Sequence, residues 1–397
     1  MSEILRPRTD EEVRAAVQWA VASENVLDVA GGGTKRALGH PFVAGAVLDM
    51  RDCRGIVSYE PAELVMTAMA GTPRQEVEAA LAEKNQMLAF EPMDTSFLLE
   101  EDARAQSIGA VFACNLAGPR RPRSGAARDH LLGARGISGR GEGFRTGGRV
   151  VKNVTGYDLA KLLCGSYGTL AVMTEISFKV LPAPIDVRTL VFPCSGHEKA
   201  ARLMRDAANT PYSPEGLAWL PRGNGGEGRV LMRLEGNAPA MAERAAALSG
   251  LDDGGCREVD RDESLALWRD IRDLRLFHDV TQWVWRFTVP PFSGSALAAD
   301  LSALVAGGRS LADWGGGLVW LAHDPVTEEQ AVDLAARLRQ RAEAAGGTAM
   351  LFRAPAEIRG RIPVFHPRPA PLAALERRVR EAFDPKHILC GERMGSL

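Results

Sequence analysis

The stretch from Gly118 to Gly133, GPRRPRSGAARDHLLG, constrains this chain more than any other. It carries four arginines: Arg120, Arg121, Arg123 and Arg128. Guanidinium groups bind phosphate oxygens through paired hydrogen bonds, glycine lets backbone N–H groups come close to such a group, and proline stiffens the turn. Because the stretch follows the apolar run Ile108–Leu116, it is compatible with a diphosphate cradle. It is equally compatible with a solvated basic loop.

A glycine-rich stretch upstream favours the first interpretation. The predicted strand Val26–Ala30 runs directly into a turn made of Gly31, Gly32, Gly33, Thr34, Lys35 and Arg36. A strand, a glycine turn and then a cation form a sequence typical of phosphate binding, because backbone donors and the cation converge on one anion. The third glycine of a Rossmann fingerprint is replaced by Arg36, and Thr34 interrupts a Walker A pattern. A simple tight turn remains the alternative for the triple glycine alone.

Composition excludes several classes of protein. A chain of 397 residues is too long for one compact core, so two or three domains are expected. The formal net charge of −2 provides no global basic field for nucleic acid, and an aromatic content of 6% argues against a base-stacking surface. The arginines near Gly118 are therefore a local feature.

The cysteines and histidines form no recognisable metal motif. The six cysteines are far apart in sequence and include no CxxC pair, so neither a zinc ribbon nor an iron–sulfur cluster is expected in this chain. The seven histidines include no HxH or HExxH pattern, and none is assigned as a catalytic base. Arg121 and Arg393 are candidate carboxylate-binding residues.

No signal peptide and no apolar run of about 18 residues is recognisable in the sequence, which predicts a cytoplasmic protein. Peripheral association with the inner membrane through a partner stays open.

Periodicity and capping residues predict the elements of the first half. Thr9 is expected to cap a helix over Thr9–Ala22, and Thr72 to cap a helix that starts at Pro73 and ends near Asn85. The other predicted elements are strands at Ala46–Met50, Leu64–Ala70, Met87–Phe90 and Leu170–Leu181, a hairpin of Gly133–Ser138 with Gly143–Val151, and a helix at Leu159–Cys164.

Pro182 and Pro184 mark a predicted domain boundary, after which strands and helices alternate. The pattern predicts an α+β domain with an antiparallel sheet and helices on one face. The predicted strands are Arg188–Phe192, Gly216–Leu220, Arg229–Leu234, Gln282–Val289, Gly317–Leu321 and Thr348–Phe352. The predicted helices are His197–Ala208, Ala238–Ser249, Asp262–Arg275, Ser295–Val305, Thr327–Ala344 and Pro371–Phe383, followed by an irregular tail, DPKHILCGERM.

Four segments carry a resemblance to a known family. They are AGGGTKRALG (Ala30–Gly39), IGAVFACNLAGPRRPRSGAARDHLLG (Ile108–Gly133), KNVTGYDLAKLLCGSYGTLAVMTEISFKVLP (Lys152–Pro182) and the tail. In these segments the chain resembles flavoproteins of the vanillyl-alcohol-oxidase or PCMH type, and among them the FAD-binding subunits of bacterial glycolate oxidases. The resemblance spans most of residues 1–182 and the last dozen residues.

The resemblance implies a fold and a cofactor. It implies a two-lobed PCMH-type FAD-binding domain at 1–182, an α+β cap domain for substrate or partner at 183–383, and a tail at 384–397 that returns to the FAD domain. The implied diphosphate-binding residues are Gly31, Gly32, Gly33, Thr34 and Lys35. The residues implied to line the flavin and its ribityl chain are Gly109, Asn115, Gly118, Ser124, Gly125 and Asp129. Those implied to touch the adenine side through their backbone are Gly165, Val172 and Met173.

Two departures from the family pattern bear on function. Thr34 stands where relatives with covalent flavin have histidine, so FAD is expected to be non-covalent. The tail reads Cys390-Gly391-Glu392 where similar proteins often have asparagine-proline-glycine.

The implied activity is oxidation of glycolate or another 2-hydroxy acid, in a complex with a second FAD-linked catalytic subunit and an iron–sulfur subunit that receives the electrons. A stand-alone FAD-linked oxidoreductase acting on another alcohol or hydroxy acid, a non-catalytic assembly subunit, and a phosphate-binding module without flavin are the alternatives.

Overall fold

The computed structural model describes residues 3–99, 105–148, 158–222, 227–277, 279 and 281–395. The described chain forms two compact units. Unit 1 is built from Met1–Ala117, Gly125–Ala183 and Pro367–Leu397, and unit 2 from Gly118–Ser124 and Pro184–His366. No helix in the described ranges has both the length and the apolar composition needed to cross a membrane.

The elements are numbered in chain order. The strands are β1 Glu3–Leu5, β2 Leu27–Ala30, β3 Ala46–Asp49, β4 Ile56–Glu60, β5 Val65–Met69, β6 Gln86–Met87, β7 Leu131–Ser138, β8 Gly143–Gly147, β9 Ala171–Lys179, β10 Leu181–Pro182, β11 Asp186–Pro193, β12 Gly216–Leu220, β13 Arg229–Gly236, β14 Arg257–Val259, β15 Trp283–Thr288, β16 Arg309–Asp313, β17 Leu318–His323 and β18 Thr348–Arg353. The α-helices are α1 Asp10–Ser23, α2 Arg74–Ala82, α3 Ser96–Leu99, α4 Ile108–Cys114, α5 Arg121–Ser124, α6 Ala127–His130, α7 Leu159–Leu163, α8 His197–Ala208, α9 Ala238–Ser249, α10 Arg261–Arg272, α11 Pro291–Leu304, α12 Glu328–Ala344, α13 Ala356–Arg361 and α14 Ala370–Phe383.

Unit 1 contains a parallel and an antiparallel sheet. The parallel sheet has the order β1-β3-β2, and the antiparallel sheet has the order β4-β5-β9-β7-β8. Helix α1 begins as predicted, because the Thr9 side chain accepts a hydrogen bond from the backbone N–H of Glu12 at 3.2 Å. Val13, Val17 and Ala20 on its buried face pack into the core beside β2 and β3.

The core beside the antiparallel sheet contains a cluster of three phenylalanines. Phe112 of α4 packs between Phe90 and Phe178, with ring centroids 5.7 and 5.4 Å away. All three side chains are fully buried. Because Phe112 lies on α4 and Phe178 on β9, this cluster fixes the helix against the sheet.

Two local predictions in unit 1 need correction. Thr72 does not cap α2, which begins at Arg74; its hydroxyl instead donates to the Met69 carbonyl at 2.7 Å and accepts from the Gly55 N–H at 2.9 Å. The predicted strand Gly143–Val151 ends at Gly147 within the described residues, and its last positions lie outside them. The segment Lys152–Tyr157 of the family motif also lies outside the described residues.

The arginine-rich stretch is not one loop. It forms the short helices α5 and α6, and its first part belongs to unit 2. Within unit 2, the Arg120 Nε donates to Glu235 at 2.7 Å, and the Arg121 guanidinium lies 4.3 Å from the centre of the Trp314 ring. The indole N–H of Trp314 donates to the Gly118 carbonyl at 3.0 Å. Carboxylate and aromatic partners therefore account for Arg120 and Arg121 without a phosphate.

Unit 2 is built on an antiparallel sheet of order β14-β11-β13-β12-β16-β17-β15-β18, which confirms the predicted α+β class. Strands β14 and β16 were not predicted from the sequence. Strand β14 has only three residues, too few for a clear alternation of apolar and polar side chains. Strand β16 leads directly into a turn at Trp314–Gly316.

We expect Phe178→Ala to lower the free energy of unfolding by about 3–5 kcal/mol, because it opens a cavity between Phe112 and the sheet. Phe97→Ala is the matched control, since that side chain is 41% exposed and its removal is expected to cost little. Denaturant titration followed by circular dichroism measures both. Equal losses for the two variants would contradict the assigned core.

Candidate phosphate-binding cavity in unit 1

Unit 1 contains a cavity at the end of β2. It encloses about 700 Å³ of empty space, including the part open to solvent at its mouth. Its walls come from the turn after β2, from α4, from the segment Tyr167–Met173 and from Arg393 in the tail.

Glycine is required at two positions of the turn. Gly33 has a φ of +85°, in the left-handed region that side chains other than glycine rarely adopt. A Cβ on Gly31 would lie 2.0 Å from the Ser107 Oγ and 2.6 Å from the Ser107 Cβ. Ser107 is fixed because its Oγ accepts from the Ala110 N–H at the start of α4. The turn and α4 therefore approach each other so closely that only glycine fits between them.

Lys35 is buried in the cavity wall without a partner. Its side chain is 6% exposed, and its Nζ makes no hydrogen bond to any described residue. Burial lowers the pKa of Lys35 from 10.5 to about 8, although Cys114 and Asp94 oppose that shift. An unsatisfied buried ammonium is costly, so a partner that is not part of this chain is the simplest account of it.

Two other cations line the cavity, Arg36 and Arg393, and both bind the same carboxylate. The Arg36 Nε donates to one oxygen of Asp28 at 2.7 Å, and the Arg393 Nη2 donates to the other at 2.8 Å. Asp28 is 4% exposed. Among the cavity-lining cations in the described ranges, Lys35 alone thus lacks a protein partner.

A segment before α4 also holds the turn. The Thr95 hydroxyl donates to the Thr34 carbonyl at 3.0 Å. Next to it, Asp94 accepts from Arg74 Nη2 at 3.2 Å. Burial would raise the pKa of Asp94, but hydrogen bonds from Ser96 and the nearby charge of Arg74 outweigh it and lower the pKa. Asp94 therefore keeps a negative charge near Lys35.

The rest of the wall is largely apolar backbone and small side chains. Gly109 packs tightly against Ala70, the residue after β5, where an added Cβ would lie 2.8 Å from the Ala70 carbonyl oxygen. Burial raises the pKa of the Cys114 thiol, so it is neutral near pH 7. A flat apolar group could therefore pack against this part of the cavity wall without contacting a charged side chain.

The structure brings six of the predicted site residues together at the cavity: Gly31, Gly33, Thr34, Lys35, Gly109 and Met173. Gly32 is buried within the same turn. Gly118 and Ser124 belong to unit 2.

The remaining predicted residues have structural partners in unit 1 and do not line the cavity. Asn115 ends α4 and accepts from the Arg128 N–H at 3.0 Å, while Gly165 donates to the Phe112 carbonyl at 3.2 Å. Gly125 lies against Asp129, whose carboxylate accepts from the Ala126 N–H at 2.8 Å. Val172 is buried in the core beside α1.

Arg36 was part of the predicted turn, but sequence reasoning missed the other lining residues: Val29, Ala30, Met50, Ala70, Ser107, Ala110, Ala113, Cys114, Tyr167, Gly168 and Ala171. Most are small or apolar and carry no chemical signature in the sequence. Arg393 was proposed as a carboxylate-binding residue, and the carboxylate it binds is Asp28 of the chain itself.

Comparisons with known proteins find an FAD-binding family and glycolate oxidase subunits. A family described as an FAD binding domain matches residues 2–147. Glycolate oxidase subunit GlcE of Escherichia coli (strain K12) is 35% identical over 379 residues, which are 95% of this chain and 95% of that protein. Glycolate oxidase subunit GlcD of Bacillus subtilis (strain 168) is 28% identical over 220 residues, 55% of this chain and 45% of that protein.

The fold also occurs in a solved structure of alkyldihydroxyacetonephosphate synthase, with a TM-score of 0.68 and 16% sequence identity over 98% of this chain and 76% of that one. The match to subunit GlcE spans nearly the whole of both chains. The chain therefore belongs to the family of FAD-binding oxidoreductases that includes glycolate oxidase subunit GlcE.

Proposed function

We propose that unit 1 holds FAD non-covalently in the cavity, with the FAD diphosphate against the turn Gly31–Lys35. The observation that carries this proposal is the Lys35 ammonium, which is buried in the wall and unpartnered among the described residues. A diphosphate provides the charge and the acceptor oxygens that this group lacks. Thr34 gives the turn no nucleophilic ring nitrogen, so nothing at this position favours a covalent bond to flavin.

The residues present fit the cofactor. The glycine turn allows backbone N–H groups to approach phosphate oxygens, and Lys35 supplies a cation that Asp28 does not neutralise. The side of the cavity formed by Gly109, Cys114 and Met173 suits an apolar ring system. In this proposal unit 1 is the FAD-binding domain and unit 2 the cap domain that serves substrate or partner.

The reaction is the oxidation of a 2-hydroxy acid, with glycolate as the proposed substrate. The support is the 35% identity to glycolate oxidase subunit GlcE over nearly the full length of both chains. When bound, FAD supplies an acceptor for the hydride that leaves the hydroxyl-bearing carbon. The substrate loses two electrons and two protons and becomes a 2-oxo acid.

The residues of this chain bind and orient the cofactor in that scheme. Lys35 and the backbone of the turn hold the diphosphate, and the packed walls of α4 and Tyr167–Met173 exclude water from one side of the cavity. No residue is assigned as the catalytic base. Two buried histidines have structural partners: His130 lies 3.1 Å from the Lys179 carbonyl and His323 lies 2.7 Å from the Asp324 carbonyl.

The chain is proposed to work in a complex of several subunits. It is similar to two differently named glycolate oxidase subunits, to GlcE along 95% of its length and to GlcD along 55%. We propose a second FAD-linked catalytic subunit and an iron–sulfur subunit as partners, with electrons passing from the flavin to the latter. Through this complex the chain would be cytoplasmic or peripheral to the inner membrane.

Lys35→Met is expected to weaken FAD binding by roughly ten- to a hundredfold, the effect of losing a charge-assisted hydrogen bond. The same substitution removes an unsatisfied buried amine, so the FAD-free variant is expected to be more stable than the wild type. Flavin fluorescence titration and thermal unfolding measure the two effects. Lys199→Met, which breaks an ion pair with Asp252 in unit 2, is the control for FAD affinity. Unchanged affinity in Lys35→Met would contradict the placement of the diphosphate.

FAD affinity is expected to fall as the pH rises from about 7 to about 9. Lys35 of the FAD-free protein has a pKa of about 8, so above that pH the amine must take up a proton when FAD binds. The FAD dissociation constant is therefore expected to increase with pH, with a limiting slope of about tenfold per pH unit. In Lys35→Met this dependence is expected to disappear. A wild-type dissociation constant that does not change across this range would contradict the role of Lys35.

The FAD-free protein is expected to show the opposite trend in stability. The folded-state pKa of Lys35 is depressed, so the unfolded chain binds more protons between about pH 8 and pH 10.5, and stability rises with pH in that window. In Lys35→Met this increase in stability with pH is expected to be absent. Unfolding midpoints measured at each pH test the difference. An identical pH profile for the two proteins would contradict the buried state of Lys35.

Gly31→Ala is expected to reduce the FAD content of the purified protein, because the new methyl group collides with Ser107 and forces the turn away from α4. Adding Ser107→Gly removes both colliding atoms and is expected to restore part of the FAD content. The ratio of flavin to protein absorbance measures both variants. Full FAD content in Gly31→Ala alone would contradict the close approach of the turn to α4.

The partner requirement is tested with glycolate as reductant. The proposal expects glycolate to bleach the flavin absorbance of the chain when it is co-purified with its partner subunits. Bleaching of the isolated chain would favour the stand-alone oxidoreductase, and D-lactate in parallel tests another 2-hydroxy acid. An isolated chain and a complex that both stay oxidised with every hydroxy acid would favour the assembly subunit.

A further inference from the structure

We propose that the C-terminal residues 384–395 form a clasp on the phosphate-binding turn, and that Arg393 is the residue of this clasp that positions Lys35. The proposal rests on the proposed function, because it concerns the turn that is assigned to the FAD diphosphate. Arg393 binds the carbonyl groups of Lys35 and Leu38, which lie 358 and 355 positions earlier in the sequence. Two distant parts of the chain must therefore meet to form this site.

The backbone of the clasp extends the parallel sheet. The Leu27 N–H donates to the Ile388 carbonyl at 2.7 Å, and the Cys390 N–H donates to the Leu27 carbonyl at 2.8 Å. Leu27 begins β2, which is at the edge of the sheet β1-β3-β2. The tail therefore pairs with the strand that leads into the glycine turn.

A buried carboxylate anchors the base of the clasp. Asp384 accepts from the Ile388 N–H at 3.1 Å and from the Leu389 N–H at 2.8 Å. Its side chain is fully buried. These bonds set the direction in which the chain leaves α14 and approaches β2.

The Arg393 side chain holds the turn at three places. Its guanidinium donates to the Asp28 carboxylate at 2.8 Å, to the Lys35 carbonyl at 3.1 Å and to the Leu38 carbonyl at 3.5 Å. Its own carbonyl accepts from the His40 N–H at 2.8 Å. Arg393 thus binds residues before, within and after the turn, and it is itself 6% exposed.

These contacts give Arg393 a positioning role. Its guanidinium is paired with Asp28, whereas the Lys35 Nζ makes no hydrogen bond to any described residue and stays available to the ligand. A guanidinium offers several donors in one rigid plane, which one ammonium group cannot reproduce across a carboxylate and two carbonyl oxygens. Because the backbone at Lys35 is fixed before any ligand binds, less conformational entropy is lost on binding.

A double-mutant cycle tests the proposal on the full chain. The variants are Arg393→Met, Lys35→Met and the double variant, with FAD dissociation constants measured by fluorescence titration. We expect Arg393→Met to weaken FAD binding by about ten- to a hundredfold, and the double variant to be little weaker than Lys35→Met alone, since Arg393 acts through Lys35. Losses that multiply in the double variant would overturn the positioning role, as would unchanged affinity in Arg393→Met.

A conservative variant separates positioning from folding. Arg393→Lys keeps a cation beside Asp28, so we expect the unfolding midpoint of the FAD-free protein to return toward wild type while FAD affinity stays low. Full recovery of FAD affinity in Arg393→Lys would contradict the requirement for a planar guanidinium at this position. Lys386→Met is the matched control, because Lys386 belongs to the same tail but donates to the Val21 carbonyl at 3.1 Å, away from the turn.

The clasp and the proposed function can fail separately. A wild-type chain that binds no FAD would contradict the proposed function itself. A chain in which Lys35→Met weakens FAD binding while Arg393→Met does not would retain the FAD site and contradict only the clasp.

Discussion

The candidate site of unit 1 depends on one constraint: the Lys35 ammonium is buried after the end of β2 without a hydrogen-bond partner among the described residues. Lys35 has that environment because Asp28, the carboxylate nearest to it in sequence, is held by Arg36 and Arg393. Burial then lowers the pKa of the amine to about 8. An anion that binds this amine forms a strong interaction, because the amine has already lost its water on folding and no further desolvation of it is needed on binding.

The arginines near Gly118 show that positive charge in the sequence does not by itself identify a phosphate-binding site. The stretch near Gly118 has the composition of a phosphate-binding loop, yet Arg120 binds Glu235 and Arg121 lies over Trp314, both within unit 2. Arg36 and Arg393 also have a carboxylate partner. The proposed phosphate-binding cation is instead Lys35, the lysine of the turn, which is distinguished by the absence of a hydrogen-bond partner among the described residues.

Much of the fold follows from local sequence signals, whereas the site follows only in part. The Thr9 cap, the hairpin of β7 and β8 and the alternating strand β9 are local features, so periodicity and capping predict them. The glycine turn was predicted from its order of residues. The contact of Gly31 with Ser107 and the bonds from Arg393 join residues more than 70 positions apart, and a single sequence has no signal for such pairs. The roles of all the predicted site residues in binding FAD stay predictions. Seven of them lie neither in the glycine turn nor in the cavity lining: Asn115, Gly118, Ser124, Gly125, Asp129, Gly165 and Val172.

The most direct measurement of the central claim is the number of protons taken up when FAD binds, obtained by titration calorimetry in buffers of different ionisation enthalpy near pH 8.5. If the diphosphate binds Lys35, the amine passes from a partly neutral to a charged state, so the account predicts net proton uptake that is absent in Lys35→Met. Binding without proton uptake, or equal uptake by the wild type and Lys35→Met, would contradict it.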